Sequence, residues 1–182
     1  MQKLISLLRG VNMAGHNKIR MTDLTSLYKK LGFNDVESYI QSGNVVFTNT
    51  ANLSVADVGG TIEKTILKEF KYEIPVIVRT PDEFRNIIGR NPFHKEKNFD
   101  TSKLAVIFLR EPPTALQTDK VKNIDYPPDK FMISGREIFI YCPNGFGRTK
   151  LYTNFFENKM QVVGTARNWK TINTLLEIAE KI

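Results

Sequence analysis

Sulfur and imidazole are scarce in this chain: Cys142 is its one cysteine, and His16 and His94 are its two histidines. An intramolecular disulfide is thereby excluded, and no Cys/His set has the spacing of a zinc site, so no metal is expected to hold or serve the fold. A thiol without a partner points to a reducing compartment, and the expected setting is the cytoplasm. Long apolar runs are missing too. Residues 4–8, broken by Ser6 and stopped by Arg9, fall far short of a signal-peptide core or of the roughly 20 residues that span a bilayer, so they read as a strand and no membrane partner is expected. No cofactor fingerprint stands in the sequence and none is expected to bind. Gly10 and Gly15 have P-loop spacing, but His16-Asn17 follow them where Lys-Ser/Thr must reach the phosphates and magnesium.

What is present is globular. With 182 residues, 41% of them apolar and 25% charged, the chain can bury a core without staples. Its net charge of +7 favours anions, yet the excess is spread: residues 1–92 hold 12 Lys/Arg against 9 Asp/Glu, and residues 93–182 hold 14 against 10. A solvated basic surface accounts for that distribution. Two stretches stand apart because neither contains an acid: residues 9–20, with Arg9, Lys18 and Arg20, and residues 148–156, with Arg148 and Lys150.

Residues 3–9 read as a buried strand, and Leu24, Leu27, Tyr28 and Leu31 as a helix face, with Thr22 and Asp23 as cap candidates and Gly32 as the stop. Residues 36–41 and 45–48 form a hairpin across Ser42-Gly43-Asn44. Ser54 opens a helix over Val55, Val58, Ile62, Ile66, Leu67 and Phe70, weakened by Gly59 and Gly60. A strand over 74–79 and a short helix from Pro81 follow. After a linker at 91–102 the order restarts: a strand over 104–109, a helix over 115–124, a hairpin of 130–133 with 136–141, a helix over 149–159, a strand over 161–165 and a closing helix over 169–182. Tyr39-Ile40-Gln41-Ser42-Gly43 through Phe47 aligns without gaps with Phe131-Met132-Ile133-Ser134-Gly135 through Phe139, and both first strands run into an arginine, Arg9 and Arg110. The expected fold is α+β, a duplication of two ferredoxin-like βαββαβ subdomains at 1–92 and 93–182, each followed by an extra helix.

That topology brings the end of the first strand, the hairpin turn and the start of the fourth strand to one edge of a sheet. In subdomain 1 it gathers Arg9, Gly10, Asn12, Gly15, His16, Asn17 and Lys18 beside Gln41, Ser42 and Asn44, a set able to hold a small anionic or phosphate-bearing ligand. The alternative is that the glycines make turns and the polar groups serve the loop backbone. Subdomain 2 offers only Arg110 and Arg136 there, so a site is expected in the first half, with the second supporting it. A secondary anion candidate is Gly147, Arg148, Thr149 and Lys150 at a helix start, with a plain cap as its alternative. For catalysis, Ser42 with His16 lacks an orienting carboxylate, Cys142 reads as a buried small hydrophobe and His94 suggests nothing, so an enzyme ranks last. Nucleic acid is the other partner weighed, since RNA-recognition modules share βαββαβ, but Phe47, Phe139 and Tyr141 match the stacking signature poorly.

Leu7 to Gly15, Met21 to Leu24, Leu31-Gly32-Phe33, Tyr39 to Phe47 and Thr165-Ala166-Arg167-Asn168-Trp169-Lys170-Thr171 resemble the signature blocks of the bacterial family called domain of unknown function 1697. The resemblance runs from the first strand to the last helix. It implies a compact protein of two ferredoxin-like subdomains and brings no established activity, substrate, cofactor or catalytic residue. Met13-Ala14 departs from the pattern, where the family tends to carry Val-Gly. In the last block a structural role is expected, Asn168 capping the final helix beside Arg167 and Trp169 packing.

Overall fold

The computed structural model of the chain describes residues 1–13 and 15–181. Its elements run β1 (Gln2–Leu8), α1 (Met21–Lys30), β2 (Asn34–Tyr39), β3 (Asn44–Asn49), α2 (Val55–Phe70), β4 (Val76–Arg79) and α3 (Pro81–Gly89), then β5 (Leu104–Leu109), α4 (Ala115–Asp119), β6 (Lys130–Ser134), β7 (Glu137–Tyr141), α5 (Thr153–Met160), β8 (Gly164–Asn168) and α6 (Trp169–Lys181). The architecture is α+β, one element order used twice, with two four-stranded antiparallel sheets ordered β2-β3-β1-β4 and β6-β7-β5-β8. By compactness the chain divides into one unit of Met1–Arg85 with the segment from Thr174 onward, and a second of Asn86–Asn173. Among the described residues no helix is long and apolar enough to cross a membrane.

The duplication extends to individual hydrogen bonds. The Leu8 N–H donates to the Gly43 carbonyl at 2.8 Å and the Arg9 N–H to that of Pro75 at 2.9 Å. In the second unit Leu109 donates to Arg136 at 2.8 Å and Arg110 to Val163 at 2.9 Å. These bonds tie each central strand to both neighbours at the edge where the loops emerge. The central strands also explain their own composition. β3, β5 and β7 are buried at every position, and β1 from Leu4 to Leu8, so β5 runs continuously hydrophobic and the others carry apolar runs interrupted by buried polar residues such as Ser6, Asn44 and Glu137 instead of alternating. The outer strands β2 and β6 keep exposed positions.

In the first unit, Leu24, Leu27 and Tyr28 of α1 and Val58, Ile62 and Ile66 of α2 pack on Leu4, Leu8, Val45 and Phe47. Tyr28 lies in the core because Ser6 supplies a partner, with its hydroxyl 2.8 Å from the Ser6 Oγ. In the second unit, Phe156 and Met160 of α5 pack with Ile107, Leu109, Ile138 and Ile140.

Several boundaries differ from the sequence-based expectation. The N-cap of α1 is Arg20, without a side-chain cap bond, while Thr22 and Asp23 sit inside the first turn, where the Thr22 carbonyl accepts from the Thr25 and Ser26 hydroxyls. The helix expected from Thr149 begins at Thr153, because burial of Leu151 draws residues 149–152 into an extended path after a single 3₁₀ turn at Phe146–Arg148. β8 starts at Gly164, not 161, since Gln161 is the left-handed C-cap of α5. Residues 91–102, expected as a linker, are packed down: the rings of Phe93 and Phe99 lie 5.7 and 5.5 Å from that of Tyr141.

Gly59 and Gly60 sit inside α2 for different reasons. A Cβ at Gly59 would stand 3.1 Å from the Val76 carbonyl oxygen, so this glycine permits the close approach of α2 to β4, whereas a Cβ at Gly60 meets nothing within 4 Å. Gly60→Ala is therefore expected to stabilise the protein by about 0.5–1 kcal/mol, as helix propensity dictates. Gly59→Ala should forfeit that gain or destabilise, and urea unfolding midpoints of the two variants check the difference.

Candidate functional site

The β1–α1 loop is built by asparagines. Asn12 and Asn17 adopt left-handed backbone, φ 56° and 48°, which asparagine tolerates better than most residues. The Asn12 N–H donates to the Asn17 carbonyl at 3.2 Å, the Asn17 Nδ2 to the Gly10 carbonyl at 3.2 Å, and the His16 N–H to the Met13 carbonyl at 2.9 Å. The Asn12 side chain then fastens this loop to its surroundings. Its Nδ2 donates to the Ile19 carbonyl at 2.9 Å and the Gln41 carbonyl at 3.0 Å, while its Oδ1 accepts from the Ile19 N–H at 3.0 Å.

The β2–β3 turn is equally constrained. Gly43, at φ 70°, lies so close to β1 that a Cβ would fall 2.7 Å from that of Leu8. Asn44 is fully buried and its Nδ2 donates to the Tyr39 carbonyl at 3.1 Å and the Ser42 Oγ at 2.9 Å. Next to them Ile40, half-exposed, takes φ 51°. For a β-branched side chain that region costs on the order of 1–3 kcal/mol, borne here by the bonds on either side.

Of the residues expected at this edge, Asn12, Gly15, Lys18 and Gln41 do line one open groove of about 550 Å³, together with Ile19, Arg20, Asp23 and Phe70. Arg9, Gly10, Ser42 and Asn44 lie outside its lining. Asn44 is committed to the hairpin, and Ser42 accepts its bond. In the sequence Arg20 stands in an acid-free basic stretch, Phe70 on the pattern of a core face and Asp23 at a helix-cap position, so no local signal draws these three together. Lys18 and Arg20 are exposed. The groove thus joins two cations to the N-terminal end of α1, where Arg20 contributes no side-chain cap and the first N–H groups carry partial positive charge. Asp23 in the first turn offsets part of that field.

The other candidates separate as follows. Arg148 and Lys150 line a depression of about 310 Å³, but Gly147 and Thr149 do not. Thr149 is buried with its Oγ accepting from the Leu151 N–H at 3.0 Å, and with α5 beginning at Thr153 none of the four stands at the start of an α-helix; Gly147 and Arg148 belong to the 3₁₀ turn instead. Arg167, 8% exposed, donates to the Thr165 Oγ1 at 2.8 Å and the Ala166 carbonyl at 2.7 Å, and burial lowers its pKa to about 10, so it stays charged near neutrality. Asn168 caps α6, its Oδ1 accepting from the Thr171 N–H at 2.8 Å. His94 holds the Asn91 carbonyl at 2.8 Å through Nδ1. Among the described residues no group of three or more His, Cys, Asp or Glu side chains is arranged to hold a metal ion. Phe47, Phe139 and Tyr141 are all buried, so none offers a ring to a base.

The family described as protein of unknown function (DUF1697) matches residues 1–139, and the chain belongs to it. The fold is also that of a solved structure, the conserved bacterial protein SP0830 from Streptococcus pneumoniae, with a TM-score of 0.75 at 21% sequence identity over 100% of this chain and 99% of that one. No curated protein matches the sequence.

Burial pushes the Cys142 thiol up to about 11. Native protein at pH 8 is therefore expected to leave a chromogenic disulfide reagent unreacted, and urea-unfolded protein to consume one equivalent. The raised value also has a stability consequence. Below the unfolded thiol's pKa both states keep the proton; above it only the unfolded state ionises, so stability falls as pH rises toward about 11. Cys142→Ala should flatten that decline in unfolding midpoints measured from pH 8 to 11.

Proposed function

We propose that the protein is a binding module for a small anionic or phosphate-bearing ligand, held in the β1–α1 groove of a ferredoxin-like first unit. Support for the scaffold comes from strand order: β2-β3-β1-β4 with every neighbour antiparallel is what βαββαβ produces when both helices cover one face. The second unit repeats it as β6-β7-β5-β8. Cytoplasmic residence belongs to the same proposal, supported by the unbridged Cys142.

The observation that carries the reading is the meeting of Lys18, Arg20 and the uncapped start of α1 in one groove. Each element alone is weak, since an exposed ion pair is worth roughly 0–1 kcal/mol. Together they act on one anion: Arg20 offers a planar fork, Lys18 a mobile point charge, and the helix start fixed N–H dipoles. Gln41 adds an amide at the rim, while the Asn12 amide is spent on the loop itself. An affinity for inorganic phosphate on the order of 1 mM follows from a few charge-assisted bonds at an open surface.

The test is a titration of the protein with inorganic phosphate and pyrophosphate, followed by amide chemical shifts in NMR. Shifts should saturate at Lys18, Arg20, Met21 and Gln41, with pyrophosphate tighter and salt weakening both. Lys18→Ala and Arg20→Ala should each weaken binding about five- to tenfold, while Lys159→Ala, an exposed lysine on α5, leaves it unchanged. Equal loss in all three variants, or no saturable shift by ~10 mM, removes the reading.

A further inference from the structure

The depression beside α5 holds charges of both signs. Asp125, Asp129, Arg148 and Lys150 all line it, together with Asn144 and Gly145. Ion pairs of the second unit run elsewhere, Arg90 to Glu137, Lys122 to Asp119 and Lys130 to Glu96. Among the described residues none of the four lining charges takes part in an ion pair. They share one small hollow without neutralising one another.

Asp129 also meets the Cys142 thiol, with which its carboxylate shares a hydrogen bond. Tyr126 and Asp129 are joined by an isolated bridge, with the Asp129 N–H donating to the Tyr126 carbonyl at 2.9 Å. The Tyr126 ring stands edge-on to that of Phe155 at 5.9 Å, and the Lys150 Nζ rests 5.2 Å above its face. The Gly145 N–H donates to the Cys142 carbonyl at 2.8 Å, fixing the turn after β7. Buried Leu151 anchors the chain just beyond Lys150.

We propose that this depression is a second binding site, for a small zwitterion of the size of a free α-amino acid, its carboxylate held by Arg148 and Lys150 and its ammonium by Asp125 and Asp129. Charge selects the class. The four side chains sum to zero, so a simple anion drawn to Arg148 and Lys150 meets the field of two carboxylates, and a simple cation meets the reverse; only a ligand with both charges gains at both ends. Volume selects the size, because about 310 Å³ is the small end of what ligand sites occupy. The carboxylates are what the sequence-based anion candidate at 147–150 did not contain, and they turn that candidate from an anion site into a two-sign site.

The experiment compares three probes of one size on the full chain by amide chemical shifts: L-alanine, propionate and ethylammonium. L-alanine should give saturable shifts at Asn144, Gly145 and Arg148, and the single-charge probes should bind at least about fivefold more weakly. Arg148→Ala and Asp125→Asn, both exposed positions, should each weaken L-alanine about fivefold with shifts elsewhere unchanged. Propionate or ethylammonium binding as well as L-alanine, unaltered affinity in either variant, or no saturable shift from L-alanine overturns the proposal.

Discussion

The edge of the first unit depends on the side chain of Asn12. One amide uses both of its ends, closing the β1–α1 loop onto the approach to α1 through Ile19 and tying it to the β2–β3 turn through Gln41. Without it the N–H and carbonyl of buried Ile19 would need a partner, the exposed Gln41 carbonyl would turn to water, and the loop would have no fixed relation to the hairpin. Lys18 and Arg20 flank Ile19, so the same three bonds set where the two cations stand. The groove is therefore a consequence of backbone satisfaction, the rule that polar groups drawn away from water must be paired. Polar residues that seemed available for a ligand are largely consumed in building the place where one can bind.

The two units show what duplication preserves and what it releases. Equivalent bonds hold each central strand, Leu8 to Gly43 and Arg9 to Pro75 in one unit, Leu109 to Arg136 and Arg110 to Val163 in the other. Continuous burial of β3, β5 and β7 keeps the middle of each inner strand apolar. Loops carry no such constraint, and they differ. The first unit spends its long loop at the end of β1, where its groove forms; the second makes that connection short and forms its depression at the other end of the hairpin, before β6 and after β7. One scaffold thus presents two unlike polar hollows.

The order of strands and helices was legible in the sequence because hydrophobic period is a local property, visible in runs such as Leu104 to Leu109 and in the spacing of Val58, Ile62 and Ile66. Boundaries moved where a distant contact overrode local preference. Leu151 is buried, and its burial costs residues 149–152 their helix. The convergence of loops at one edge followed from topology, but the division of labour within that edge did not. Asn12 and Asn44 have the same side chain as a ligand-binding asparagine, and only the chain path reveals that their amides face carbonyls of their own protein. Phe70 and Asp23 reach the groove from helices whose patterns spoke only of a core face and a cap.

The most direct measurement is the phosphate affinity of Asn12→Ala beside that of the native protein, with the fold of each checked by circular dichroism. If the Asn12 amide sets the positions of Lys18 and Arg20, the variant keeps its fold, loses phosphate binding by about tenfold or more, and exchanges the Ile19 amide proton faster. Native affinity in a folded Asn12→Ala would contradict the account, because the cations would then hold their places without the bonds said to fix them.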